Sequence, residues 1–413
     1  MVPEGWVSGR VGDMLDGLES GVSVNGENRP LKEKEKGVLK VSAVSYGRFN
    51  SSAAKAIDSK DLVRAKTNPK QGQIIISRSN TEKFVGASAY IDRDYPNLFL
   101  PDKLWQTISD EKSDMKWLSY VLASKPARYI LSRLATGTSG SMKNITKGEL
   151  LSLKILIPSS PEQQKIAETL STWDKAITAT EKLIANSQQQ KKALMQQLLT
   201  GRRRLPGFNK KWLQFKLSEL GQVSSAGVDK KNVDEERRVR LLNFLDVFNR
   251  SYICSDDLNH WVTAPNYKIA KCNVLKGDVF FTPSSETRKD IGMSVVSTED
   301  INDCCYSYHI VRFRLKDKWN IDYLGFAFST DKFKKQTYRL ADGSGQRYVL
   351  SLPSFKSIEV YYPAIEEQME IGRRLVASYK IIELLKLKRE TLKQEKKALM
   401  QQLLTGKRRV SVA

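Results

Sequence analysis

Two pairs of polar segments hold the side chains best suited to chemistry. Ser77-Arg-Ser-Asn-Thr-Glu-Lys83 follows one short apolar run, and Thr282-Pro-Ser-Ser-Glu-Thr-Arg-Lys289 follows another. A second pair is rich in glycine and serine: Ser139-Gly-Ser-Met-Lys-Asn144 and Ser344-Gly-Gln-Arg-Tyr348. Arginine and lysine suit phosphate oxygens, while arginine, asparagine, glutamine and hydroxyls suit base edges. The candidate DNA-binding residues are therefore Ser77, Arg78, Asn80, Lys83, Ser139, Ser141, Lys143 and Asn144 in the first half. In the second half they are Ser284, Ser285, Thr287, Arg288, Lys289, Gln346, Arg347 and Tyr348. The competing reading is that these are ordinary solvated loops. Matching positions with different letters are what two segments reading different sequences would need.

Catalytic signatures are missing. No GxxxxGK[ST] phosphate loop occurs, and Gly343-Ser-Gly345 is too short for a dinucleotide loop. Asn68-Pro69-Lys70 is not the Asn-Pro-Pro-aromatic motif of amino-methyltransferases and reads as a turn. The two histidines, His260 and His309, both lie in the second half. His309, within Tyr306-Ser-Tyr-His-Ile310, reads as a strand residue rather than a base. Acid-plus-lysine fragments around Pro101-Asp102 and Glu82-Lys83 do not recur in the other half, which leaves a nuclease as the weaker alternative. No metal ligand set is read. The four cysteines fit no zinc spacing and suggest a reduced, cytoplasmic chain. Met1 to Trp6 lacks the regions of a signal peptide. No apolar run approaches the roughly 20 residues of a membrane span. With 68 Lys+Arg against 46 Asp+Glu, the net charge of +22 points to a polyanion, nucleic acid ahead of membrane.

The elements that must position these segments are duplicated. Lys191-Lys-Ala-Leu-Met-Gln-Gln-Leu-Leu-Thr-Gly201 recurs letter for letter at Lys396 to Gly406, 205 residues later. The same offset pairs Gly72 with Gly277, Pro158 with Pro363 and Glu162-Gln163 with Glu367-Gln368. Trp6 pairs with Trp212 at 206. Each copy begins with a variable region, 1–157 and 212–362. Its β-like runs include Gln73-Ile-Ile-Ile-Ser77 and Asp278-Val-Phe-Phe-Thr282. A helix at Trp117 to Leu122 and at Tyr323 to Phe328 comes next, then the Gly/Ser loop. A last strand ends at proline. The class is α+β, because βα alternations are too few for a doubly wound sheet.

A long helix closes each copy. Ser160-Pro161-Glu162-Gln163 reads as an N-cap and capping box. Ile166, Leu170, Trp173, Ile177, Ile184, Leu194 and Leu198 form a heptad-like seam. Ile371, Leu375, Ile382, Leu385, Leu392, Leu399 and Leu403 form its counterpart. A helix of about 40 residues spans roughly 60 Å and would outreach its own domain, so the two copies are expected to pack on each other. Gly201 and Gly406 suit the position after a helix end, and the Arg202-Arg-Arg204 and Lys407-Arg-Arg409 clusters suit its negative pole.

Two variable domains alternating with two similar helices that end in Gln-Gln-Leu-Leu-Thr-Gly plus basic residues resemble the specificity (S, HsdS) subunits of type I restriction–modification enzymes. The resemblance spans the chain. It implies two pseudo-symmetric α/β target recognition domains, 1–157 and 205–362, joined by helices at 158–204 and 363–413 in an antiparallel coiled coil. It further implies a non-catalytic subunit that reads a split, asymmetric site on double-stranded DNA. Two methyltransferase (M) subunits and restriction (R) subunits would dock on it. S-adenosylmethionine, ATP and Mg are expected in those partners, with no cofactor in this chain. The family's arginine after the first β-run is Arg78 here but Pro283 in the second copy, where Arg288 is the expected replacement. A stand-alone sequence-specific DNA-binding protein is the alternative.

Overall fold

The computed structural model describes residues 2–139, 142–248 and 250–411. The chain divides into two compact units, Met1–Thr180 with Lys388–Ala413 (unit 1) and Glu181–Leu387 (unit 2).

In unit 1, an antiparallel sheet runs in the order Ser88–Tyr90, Ile74–Ser77, Leu104–Ser109, Leu15–Ser20. The Ile74–Ser77 strand is buried throughout, and its first three residues are apolar in succession because both its faces are covered. Ile74 and Ile76 enter one core with Trp6, Trp117 and Leu170, whereas Ile75 enters another with Leu39, Ala54 and Leu104. The period of two along a strand divides the side chains between the cores. Unit 2 repeats this in a five-stranded sheet. Val279 and Phe281 join the core of Trp212, Phe313 and Leu375, while Phe280 joins that of Val239, Val262 and Tyr306.

The helix expected at Trp117 to Leu122 is α1, Met115–Ala123. It is followed at once by α2, Lys125–Leu134, which was not foreseen. Ser124 closes α1 and caps α2 by accepting from the Ala127 N–H, with Pro126 in the first turn. The first long helix, α3, is Ser160–Leu198. In unit 2, α4 is Ile321–Ala327, α5 is Asp331–Leu340 and the second long helix, α6, is Ile365–Leu403. Each long helix has 39 residues.

The seam residues Ile166, Leu170, Ile177 and Leu403 are buried in unit 1, with Trp173, Leu392 and Leu399 half-buried. In unit 2, Ile184, Leu198, Ile371, Leu375 and Ile382 are buried, with Leu194 and Leu385 half-buried. The helix segments run antiparallel within each unit. Asp174 meets Lys396 and Glu162 meets Arg409 in unit 1; Arg204 meets Glu367 in unit 2. The segments do more than pack on each other: Ile166, Leu170 and Leu403 share a core with Trp6 and Trp117. Domain packing and helix pairing are thus one core.

The capping box at Ser160 does not form. Ser160 already lies within α3, and the Gln163 N–H donates to the Ser159 carbonyl at 2.9 Å. The Gln163 side chain instead donates to the Pro158 carbonyl at 3.0 Å and accepts from the Asp114 N–H at 3.1 Å. Gln368 repeats both contacts, to Pro363 and Asn320, each at 3.0 Å. The repeated glutamine therefore ties each long helix to the N-cap of a shorter one. Gly201 and Gly406 have φ of +67° and +66°, the left-handed turn that stops a helix at glycine.

His309 lies in the turn after the Ile301–Tyr306 strand, not in a strand. Its ring lies against that of Tyr308, tilted by 37° with centroids 3.8 Å apart, and burial pulls its pKa below the usual histidine value.

Candidate DNA interface

The two polar segments of each unit, distant in sequence, lie side by side. The Gly/Ser loops are β-hairpins. In unit 1, Thr136–Ser139 pairs with Met142–Asn144, which pairs in turn with Ser79–Asn80. In unit 2, Asp342–Ser344 pairs with Arg347–Val349, which pairs with Ser284–Ser285. Sequence reading missed these strands because they are only two to four residues long and glycine-rich. Gly137 and Gly343 allow the close approach: a Cβ on either would sit 2.4 Å from the Met142 carbonyl oxygen or 2.3 Å from that of Arg347.

The same backbone contact docks both hairpins. The Ile145 N–H donates to the Arg78 carbonyl at 3.0 Å, and the Leu350 N–H donates to the Pro283 carbonyl at 2.7 Å. Pro283 thus keeps the backbone role of Arg78 without its side chain. In unit 1, Lys143 stands opposite Asn80, and Asn144 opposite Ser79. Ser77 is buried and accepts from Asn80 Nδ2 at 3.2 Å. Lys143 Nζ donates to the Gly137 carbonyl at 2.9 Å. Arg78 holds its guanidinium 5.9 Å from the Trp105 ring, and its buried Nε has no hydrogen-bond partner among the described residues. Lys83 is exposed, its backbone carbonyl held by the buried Arg128. Ser139 enters through its backbone pairing with Met142. Ser141 lies outside the described residues.

Unit 2 fills the same frame with other chemistry. Arg347 Nη2 donates to the buried Ser284 Oγ at 2.9 Å. Ser285 stands opposite Tyr348. The Arg288 guanidinium lies 4.9 Å from the Tyr348 ring and 5.8 Å from Tyr338, bringing a cation into the hairpin region where Pro283 offers none. Thr287 Oγ1 donates to Asp290 at 2.8 Å. Lys289 and Gln346 are exposed.

Each unit also holds a cluster that sequence reading did not assemble. Glu162 is almost fully buried; it accepts from Trp6 Nε1 at 2.9 Å and from Arg409 Nε and Nη2 at 2.6 and 2.8 Å. Glu367 accepts from Trp212 Nε1 at 3.1 Å and from Arg204 Nε and Nη2 at 2.7 and 2.8 Å. One arginine of each basic cluster therefore neutralises a buried carboxylate rather than its own helix end. The duplicated tryptophan and glutamate were the signal for this site. The pairing stayed hidden because each arginine belongs to the other copy's helix.

The description of a type I restriction modification DNA specificity domain matches residues 3–187 and again 209–394. The chain is 26% identical to the type I restriction enzyme MjaVIII specificity subunit of Methanocaldococcus jannaschii, over 99% of this chain and 94% of that protein. It is 24% identical to the putative MjaX specificity subunit of the same organism, over 99% and 95%. Its fold matches the crystal structure of a type I restriction-modification S subunit from M. genitalium with a TM-score of 0.60, at 17% identity over 98% and 99% of the two chains.

Proposed function

This chain belongs to the type I restriction–modification DNA specificity family, and from that premise we propose that each hairpin sheet reads one half of a split, asymmetric duplex site. One observation carries the reading. Two segments far apart in sequence meet in the same three-stranded frame in both units, yet present different donors and acceptors. A shared frame with changed letters suits one mode of docking applied to two base sequences.

The chain is a recognition subunit, and its contribution to chemistry is placement. Two methyltransferase subunits would bring S-adenosylmethionine to an adenine. Restriction subunits would supply ATP- and Mg-dependent translocation and cutting in the cytoplasm. No described helix is long and apolar enough to cross a membrane.

Exchange of residues 1–157 for those of another such subunit tests the reading. Methylation-site mapping of the assembled enzyme should show one half of the target changed and the other kept. Changes in both halves would refute it.

A further inference from the structure

The duplicated peptide offers an internal control for electrostatics. Lys396 and Lys191 are the same residue of the same eleven-residue repeat. In unit 1, Lys396 Nζ lies 2.6 Å from Asp174 and is compensated. The position of Asp174 is taken in unit 2 by Tyr379; the nearby Glu383 carboxylate attracts Lys191 but is ion-paired with Lys386. Lys191 Nζ instead lies 5.0 Å from the Phe326 ring and 5.0 Å from the Tyr379 ring. Burial and the nearby Lys386 pull its pKa down.

Lys191 lines a cleft of about 760 Å³ wholly within unit 2. That volume suits a nucleotide-sized ligand, by the usual range of roughly 300–1,000 Å³. Lys192, Arg202, Lys332, Lys334 and Lys335 line it too. None of these five makes an ion pair among the described residues. Of the other charges at the cleft, only the Asp331 carboxylate lacks an oppositely charged partner among the described residues. Lys386 pairs with Glu383 at 2.7 Å, Arg250 pairs with Asp257 at 2.7 Å, and Asp331 accepts from Gln196 at 3.2 Å. The first turn of α5 borders the cleft and adds the positive end of a ten-residue helix. The equivalent helix of unit 1 is built otherwise. Its matching positions are Pro126, Arg128 and Tyr129, and Arg128 is buried with its guanidinium 4.3 Å from the Tyr46 ring.

Six cations around one cleft, offset only by the Asp331 carboxylate, repel one another unless a further anion sits among them. We propose that this cleft is a second phosphate-binding site, sharing no residue with the hairpin sheet, that takes a phosphodiester or polyphosphate chain. The backbone of bound DNA and a free polyphosphate present the same chemistry. The assignment goes beyond the half-site reading and does not depend on it.

The test is amine acetylation of the full chain, read at Lys191 by mass spectrometry, with and without inorganic tripolyphosphate or a 20-base-pair duplex. The exposed Lys175 of unit 1 is the reference. Selective protection of Lys191 by tripolyphosphate is expected. Protection by the duplex as well would identify the DNA backbone as the source, and protection by tripolyphosphate alone would identify a free polyphosphate. Lys334→Gln with Lys335→Gln, on the exposed face of α5, should raise the half-protecting concentration roughly tenfold. Lys332→Gln is the independent second variant and should act in the same direction. Absence of protection by either probe, equal protection of Lys175, or unchanged protection in both variants would overturn the site. A half-site exchange that behaved as expected alongside such a failure would leave the hairpin reading intact and remove only this one.

Discussion

Units 1 and 2 are alike where the chain holds itself together and unlike where it faces outward. The Trp–Glu–Arg clusters agree atom for atom: each tryptophan donates to its glutamate, and each arginine grips the same carboxylate through Nε and Nη2. The glutamines beside them make the same two contacts. Beyond a common backbone frame, its glycine and matched serines such as Ser79 and Ser284, the hairpins differ. Asn80 and Lys143 face each other in one, Ser285 and Tyr348 in the other, and Arg78 gives way to Pro283. The difference teaches that a buried charge tolerates no variation in its partners, whereas a ladder of backbone hydrogen bonds accepts almost any side chain on its open face.

The largest expected effect breaks the clusters. Glu367→Ala leaves Trp212 Nε1 and Arg204 without an acceptor and should destabilise unit 2 by about 2–4 kcal/mol. Urea unfolding combined with hydrogen exchange locates the loss. Glu162→Ala should loosen unit 1 by less, because the Arg409 side chain is 44% exposed against 30% for Arg204, and water can replace more of its contact. Equal loss of protection in both units from either change would mean that the clusters are not local.

Smaller effects should separate the hairpins. Arg78→Ala or Asn144→Ala is expected to weaken binding to one half-site by roughly 1–3 kcal/mol, and Arg347→Ala to weaken the other similarly. Ser284→Ala combined with Arg347→Ala should cost less than the sum, because the two side chains are hydrogen-bonded to each other. Competition binding with duplexes altered in one half at a time makes the measurement. A uniform loss across both halves would contradict separate reading. The binding should also fall steeply with salt, each phosphate contact adding nearly one unit to a log–log slope; a flat plot would contradict backbone contacts.

The finest comparison uses the cysteines, all of which lie in unit 2. Burial pushes the Cys304 and Cys305 thiols up to about 12 and raises Cys272 as well. A raised thiol stays protonated and these three are also buried, so near pH 8 they should resist alkylation in the folded chain; burial raises Cys254 too, but it is only half-buried and should react first. Glu367→Ala should speed labelling of the three, and Glu162→Ala should not. Acceleration by both, read by mass spectrometry, would show that the units open together.

The duplication, the two 39-residue helices, their glycine stops and the apolar runs after Gly72 and Gly277 were legible in the amino-acid sequence. Each depends on periodicity or on a local conformational preference, which neighbouring residues carry. So was the general place of the polar segments. That Ser79–Asn80 and Met142–Asn144 become adjacent strands was not legible, since strands this short leave no alternation to read and their partners lie about 60 residues away. The capping box at Ser160 failed for a related reason: Gln163 found better partners in Pro158 and Asp114, which only tertiary packing brings within reach. The same holds for Arg204 and Arg409. Local rules assign them to their own helix ends, but a carboxylate buried against an indole demands a cation, and antiparallel packing delivers the one from the other copy.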